Sequence, residues 1–198
     1  MSTRISKVWL PRKLKAILST FWSRNLMLAN VISAGALCGL GDIIQQNLEG
    51  SEKHDWKRTG RMATVGLLVG LPTHYFYTFL DQKLVGTAAT TIGKKVVLDE
   101  ALMAPISIST FYLGMGMLEG QNWDDSKDEW QRKFWPTYKV DVIVWPIGQA
   151  INFKFIPGTW RVLYVNVLTL FYDIFLSYMK HKVVFTNNIL DVFYNYNL

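Results

Sequence analysis

The chain has 198 residues, half of them hydrophobic, and carries 21 Lys and Arg against 15 Asp and Glu, a formal charge of +6. That much apolar material excludes a disordered, collagen-like or low-complexity chain, and the length makes one domain the first expectation. The single cysteine, Cys38, excludes a disulfide scaffold and a Cys-cluster zinc site, and three scattered histidines (His54, His74, His181) do not make a His-rich metal centre.

The excess charge is local. Arg4, Lys7, Arg12, Lys13, Lys15 and Arg24 all precede the first acidic residue, Asp42, and the remainder carries 15 basic and 15 acidic side chains. A neutral body with a basic head is unlike the all-over basic footprint of a nucleic-acid binder, so no sequence-specific nucleic acid is expected. Within the head, Leu10, Leu14, Ile17, Leu18 and Phe21 share one helical face, with Arg12, Lys13 and Lys15 away from it. A basic, acid-free, amphipathic start has the character of a mitochondrial import signal. It equally fits a helix lying on an anionic membrane surface, with Trp9 and Trp22 at headgroup depth, and an ordinary solvated arm is the plain alternative.

In the body, residues 25–41 hold no charge over 17 positions, residues 62–80 are broken only by His74, and residues 101–118 hold none over 18. Each run approaches the ~20 residues a helix needs to cross the hydrocarbon of a bilayer. Spans are expected near 26–46, 61–80, 97–118 and 160–179. A fifth helix near 137–155 carries Pro146, which would kink it, and is left to span, re-enter or pack obliquely. The expected fold is therefore all-α: a polytopic membrane helix bundle of about four spans, the fifth segment, and the amphipathic head. Its divisions are a head (1–24), a bundle (25–182) and a loose tail (183–198). A soluble all-α domain competes, since large buried helices also lack charge.

Gly35 with Gly39, Gly66 with Gly70, and Gly116 with Gly120 form small-xxx-small pairs on three successive spans, where close backbone approach replaces the missing hydrophobic drive. The links should be charged: 49–61, 81–95 with Gly86 and Gly93 as breakers, and 119–141 as a mixed-charge helix on the membrane surface. Lys and Arg divide almost evenly between the two sides and set no orientation.

Polar groups at membrane depth are costly and face the bundle interior or a wet cavity. Asp42, Gln45, His74, Gln149, Asn152 and Asp173 are accordingly candidates for a polar pathway or for interhelical contacts. Enzyme chemistry finds no nucleophile turn, phosphate-binding loop or dinucleotide fingerprint. No catalytic residue, cofactor or metal is expected, and Cys38 reads as buried structure.

The sequence is then recognisable by its motifs. Gly39-Leu40-Gly41-Asp42 with Gln45, Trp56-Lys57-Arg58 through Arg61, Gly70, His74, Tyr75 and Tyr77 before Leu80-Asp81, Asp99, and Ala104-Pro105 are one part of the pattern. Trp145-Pro146, Gln149, Asn152-Phe153, Pro157, Arg161 and Leu176-Ser177-Tyr178 are the other. Over some 150 residues this resembles the Mpv/PMP family of mitochondrial and peroxisomal membrane proteins. The chain departs from the pattern at Leu71-Pro72, Phe76 and Glu100, and around Tyr172. Leu118-Glu119-Gly120-Gln121, Lys133-Phe134-Trp135 and Tyr138-Lys139 look most similar to the family's Mpv-seventeen-like protein two branch.

The resemblance implies a four-helix integral membrane protein of the mitochondrial inner membrane, the peroxisomal membrane being the alternative. It gives Gly39, Gly41, Gly70, Tyr77, Asp99, Pro105, Trp145, Pro146, Phe153, Pro157 and Arg161 structural roles. Two functions follow: support of mitochondrial ribosome assembly and translation, or a weakly selective channel for small solutes or ions. The partners it implies are the lipid bilayer, the mitochondrial ribosome or its assembly factors, and a second copy of the chain.

Overall fold

The computed structural model describes residues 25–86, 88–156 and 160–182; the basic head, the tail and Pro157 lie outside them. Five helices cover the described residues: α1 (Leu26–Leu48), α2 (Trp56–Lys83), α3 (Ala89–Leu118), α4 (Trp123–Phe155) and α5 (Arg161–His181). Two of them, α1 and α3, are long and apolar enough to cross a membrane by length and composition.

Local chemistry explains the ends. Asp55 caps α2, its Oδ1 accepting from the backbone N–H of Lys57 at 2.9 Å and of Arg58 at 3.0 Å. Asn122 caps α4 by accepting from the Asp125 N–H at 2.8 Å. Gly120, at φ 76°, turns the chain between α3 and α4, a backbone conformation that costs glycine little.

The middle of α3 is not a regular α-helix. Residues Asp99–Met103 form a π turn, in which the Ala104 N–H donates to the Asp99 carbonyl five residues back. The cause is Pro105, which has no N–H to donate and whose ring crowds the preceding turn. The displaced Glu100 carbonyl accepts the Tyr138 hydroxyl of α4 at 2.9 Å.

Several boundaries differ from the sequence expectation. α3 begins at Ala89, so Gly93, Lys94 and Lys95 lie within a helix and only Gly86, at φ 114°, acts as a breaker. The 119–141 link and the 137–155 segment are largely one helix, α4, continuous over 33 residues through Pro136 and Pro146. At ~1.5 Å per residue α4 is about 50 Å long, more than a bilayer core is thick.

The helices close into a ring. Each packs on its successor, and α5 returns to pack on α1. Successive neighbours run antiparallel, while α1 and α5 are parallel: Gly41 meets Asp173, and Asp42 meets Ser177. Residues 25 and 182 therefore sit at opposite ends of the bundle.

The α1–α2 contact is the closest. A Cβ on Gly66 would lie 2.9 Å from the Gly35 Cα, and one on Gly39 would lie 3.2 Å from the Ala63 Cβ. Gly70 abuts Val31 and Ala34 in the same seam. These two glycine pairs face each other across one interface, as the small-residue rule requires. The third pair does not act this way: Gly120 is in a turn, and Gly116 packs against Ser126 at the α3–α4 corner.

The polarity of the ring is that of a membrane bundle. Buried side chains include Asp42, Gln46, Glu129, Lys133, Asp141, Asp173 and Lys180, while Ile143, Ile147 and Ile151 of α4 and Leu163, Val167 and Phe171 of α5 point outward and are exposed. In water an apolar belt of this kind would be a liability; against lipid tails it has nothing to lose. The apolar core is a layer of Cys38, Met62, Val65, Ile108, Phe111, Tyr112, Met115 and Leu176.

Candidate functional site: a central cavity and a charged end

A cavity of about 490 Å³ lies inside the ring and takes wall residues from all five helices. His74, Gln149 and Asp173, predicted from their depth in the spans, are in its wall, as are Gly70, Tyr77, Asp99 and Trp145. Asn30 Nδ2 lies 3.1 Å from His74 Nδ1, joining α1 to α2. Tyr77 donates its hydroxyl to Asp99 of the π turn. Asn152 is buried beside the cavity, its Nδ2 donating to Gln149 Oε1 at 3.5 Å. Trp145 meets Tyr172 at 5.8 Å between ring centroids.

Asp42 and Gln45 do not join this set. Asp42 is fully buried and accepts four hydrogen bonds: Arg58 Nε at 2.8 Å and Ser177 Oγ at 2.7 Å on Oδ1, Gln46 Nε2 at 2.7 Å and Thr59 Oγ1 at 2.6 Å on Oδ2. Gln45 donates to Glu49 Oε1 at 3.3 Å. Arg58 also forks onto Glu49, Nη1 to Oε2 at 2.9 Å and Nη2 to Oε1 at 3.0 Å. Burial alone would raise the Glu49 carboxyl, but this guanidinium outweighs it and holds the group below its ordinary range.

A second charged cluster adjoins the first. Lys180 of α5 bonds Glu129 of α4 and lies 2.9 Å from Glu119, while Lys133 reaches Glu129 at 2.8 Å and the Lys180 carbonyl at 2.6 Å. This corrects the reading of 119–141 as a surface helix. Glu129 and Lys133 point inward, and only Asp124, Asp125, Lys127, Asp128 and Arg132 of its charged residues up to Lys133 are exposed. A helical period puts Glu129 and Lys133 on one face, but their partner Lys180 is 51 residues from Glu129, and no spacing rule finds it.

In every helix the residues of the two charged clusters lie to one side of the cavity residues, in the sense that the alternating helix directions demand. α1 has 30–38 in the cavity wall and 42–49 in the charges; α5 has 165–176 and then 177–182. The cavity occupies one half of the ring. The apolar layer, whose Cys38, Ile108, Phe111 and Leu176 are part of the cavity wall, separates it from the two interlocked charge clusters.

The remaining motif residues are structural. A Cβ on Gly41 would lie 2.7 Å from the Asp173 Cβ and 2.9 Å from its carbonyl carbon, so glycine is what lets α5 approach α1. Arg161 Nε donates to the Ile156 carbonyl at 3.1 Å at the start of α5. The Phe153 side chain and Pro157 lie outside the described residues. Sequence reasoning passed over Asp141, Tyr172 and Ser107 of the cavity wall. Only Asp141, an acid inside the α4 apolar stretch, carries a signal that would have found it.

Glu119 supplies a pH dependence. Burial would raise its carboxyl, but His181 Nε2 at 3.5 Å and Lys180 Nζ at 2.9 Å bring it from an ordinary 4.5 down to about 2. A carboxylate depressed in the folded state stabilises above its unfolded pKa and loses that contribution as pH falls through the folded one. Stability in detergent should therefore drop by about 1–3 kcal/mol between pH 5 and pH 2 through this group. Glu119→Gln should flatten that part of the stability–pH profile.

An apolar exterior, a polar interior and a cavity walled by every helix define an integral membrane bundle. The Mpv17/PMP22 family model matches residues 116–177. An Mpv17-like protein of Xenopus laevis is 36% identical over 169 residues, covering 84% of this chain and 82% of the relative. One of Bos taurus is 37% identical, covering 81% and 79%. SYM1 of Saccharomyces cerevisiae is 32% identical, covering 78% and 84%. No solved structure matches. The chain belongs to the Mpv17/PMP22 family, a family of non-enzymatic, polytopic membrane proteins of mitochondria and peroxisomes.

Proposed function

We propose that the chain is a channel of the mitochondrial inner membrane for small solutes or ions, with a path through the central cavity. The cavity carries the reading: about 490 Å³ walled by His74, Asp99, Asp141, Gln149 and Asp173 at the depth of the bilayer. Carboxylates at that depth are expensive unless they serve a wet path. All five helices pass the cavity, so the crossing set includes α4 besides the four expected spans. The charge clusters and apolar layer beyond it make the described arrangement a closed one. The inner membrane, rather than the peroxisomal one, is supported by the basic amphipathic head and by the SYM1 relatives.

Support of mitochondrial ribosome assembly was the other expectation, drawn from the similarity to the Mpv-seventeen-like protein two branch. Its electrostatic surfaces are the 119–141 segment and the basic head, of which the head lies outside the described residues. The exposed charges near the start of α4 are three acids and two bases, a poor match to RNA.

Liposome reconstitution tests the channel. Small-ion flux under applied voltage is expected, with the cation-to-anion permeability ratio falling severalfold in Asp173→Asn. Absence of flux across voltage and pH overturns the reading, and unaltered selectivity in Asp173→Asn moves that residue to a packing role.

A further inference from the structure

The cavity wall has a one-sided chemistry. Its acidic side chains are Asp99, Asp141 and Asp173, its one histidine is His74, and neither Lys nor Arg lines it. The described basic side chains of the interior (Arg58, Lys133, Lys180) are all committed to the clusters at the other end. Between the carboxylates stand aromatic rings: Tyr77, Phe111, Trp145 and Tyr172.

Asp173 is the informative member. It is 8% exposed, and its Oδ2 has no hydrogen-bond partner among the described residues. Asp42, one helix away and equally deep, has all its needs met by four donors. A buried carboxylate oxygen without a donor, on a residue of the cavity wall, is an uncompensated polar group.

We propose that the cavity is a binding site for a small organic cation, a primary or quaternary amine, held by Asp173, Asp141 and Asp99 against the rings of Tyr77, Trp145 and Tyr172. The volume lies in the range of pockets that enclose small organic ligands. Aromatic faces attract such cations, and the mostly apolar wall suits their carbon. A bare metal ion fits less well: among the described residues no three His, Cys, Asp or Glu are grouped to hold one. Anions meet three acidic side chains and, apart from His74, no basic one. The inference rests on the reading of the cavity as a solute site and names the solute's class.

Calorimetric titration of the full chain in maltoside micelles tests it, with tetraethylammonium and choline as probes and sodium and glutamate as controls. Saturable binding of the organic cations is expected, weakened about tenfold or more in Asp173→Asn and in Asp141→Asn. Asp124→Asn, an exposed change on α4, should leave it intact. Elution as one monodisperse species certifies each variant, and Asp141→Asn carries the comparison if Asp173→Asn does not fold. No saturable binding of either organic cation, equal binding of sodium or glutamate, or undiminished binding in the aspartate variants overturns the proposal. Flux in liposomes without organic-cation binding removes this site and leaves the channel. Binding without flux removes the channel and leaves the site.

Discussion

Replacing Arg58 by Met should lower the stability of the bundle by about 3–5 kcal/mol, the cost of breaking a buried ion pair from one side. Arg58 is the only described residue that bonds to both ends of the helical ring at its seam. Its Nε serves Asp42 and its two Nη atoms serve Glu49 on α1, while Nη2 also reaches Ser177 of α5 at 2.8 Å. Met fills similar space but leaves Asp42 without its counter-charge and Glu49 with only the more distant, exposed Lys182 at 3.7 Å. Arg58→Lys should recover only part of the loss, because an ammonium is a point charge and cannot fork across both acids. Lys95→Ala is the contrast: its partner Asp81 is 70% exposed, and the pair should be worth less than about 1 kcal/mol. The chain supplies its own reporter. Cys38 is the single cysteine and is 3% exposed in the core, so the rate of its labelling by a maleimide measures opening of the bundle. Labelling of Arg58→Met no faster than that of the parent chain would show the network to be dispensable.

Gly66→Ala should cost about 1–3 kcal/mol, and Gly66→Leu should abolish folding. The added Cβ would stand 2.7 Å from the Cys38 Cβ, 2.8 Å from the Ala34 carbonyl oxygen and 2.9 Å from the Gly35 Cα. Two of these are backbone atoms, so no rotamer change relieves the contact and α1 must move from α2. Gly93→Ala should go the other way. It lies inside α3 with nothing within 4 Å of its would-be Cβ, and alanine there should add about 0.5–1 kcal/mol by restricting the unfolded chain. Thermal midpoints of both variants in the same detergent check the opposite signs. A gain in both would mean that helix propensity, not interhelical distance, governs glycine in this bundle.

Membership of the family and the all-α class were legible before any coordinates. They rest on contiguous residues: charge-free runs of helical length and short motifs such as Trp145-Pro146. The interface glycines were half legible. A four-residue spacing places two glycines on one helix face, and the Gly35–Gly39 and Gly66–Gly70 pairs do meet. The same spacing at Gly116–Gly120 means something else, because Gly120 has φ 76° and ends the helix. Spacing reports a shared face only where the helix continues, and that depends on the turn.

The candidate polar set shows the boundary best. Depth in a span was readable for Asp42, His74, Gln149, Asn152 and Asp173 alike, since depth follows from position along one helix. The sequence by itself determined the helical segments, their apolar outer faces and which polar residues had to be turned inward. It did not determine their partners. Asp42 meets Arg58, 16 residues on, and Ser177, 135 residues on, because α5 closes the ring against α1. Asp173, on the same seam and in the cavity wall, has a buried oxygen with no donor among the described residues. Only the tertiary structure decided that one carboxylate is a tie and the other is left with an oxygen that no described donor reaches. The reason is physical: periodicity is a property of neighbours along the chain, whereas compensation of a buried charge belongs to whichever distant groups the closed ring brings within three ångströms of it.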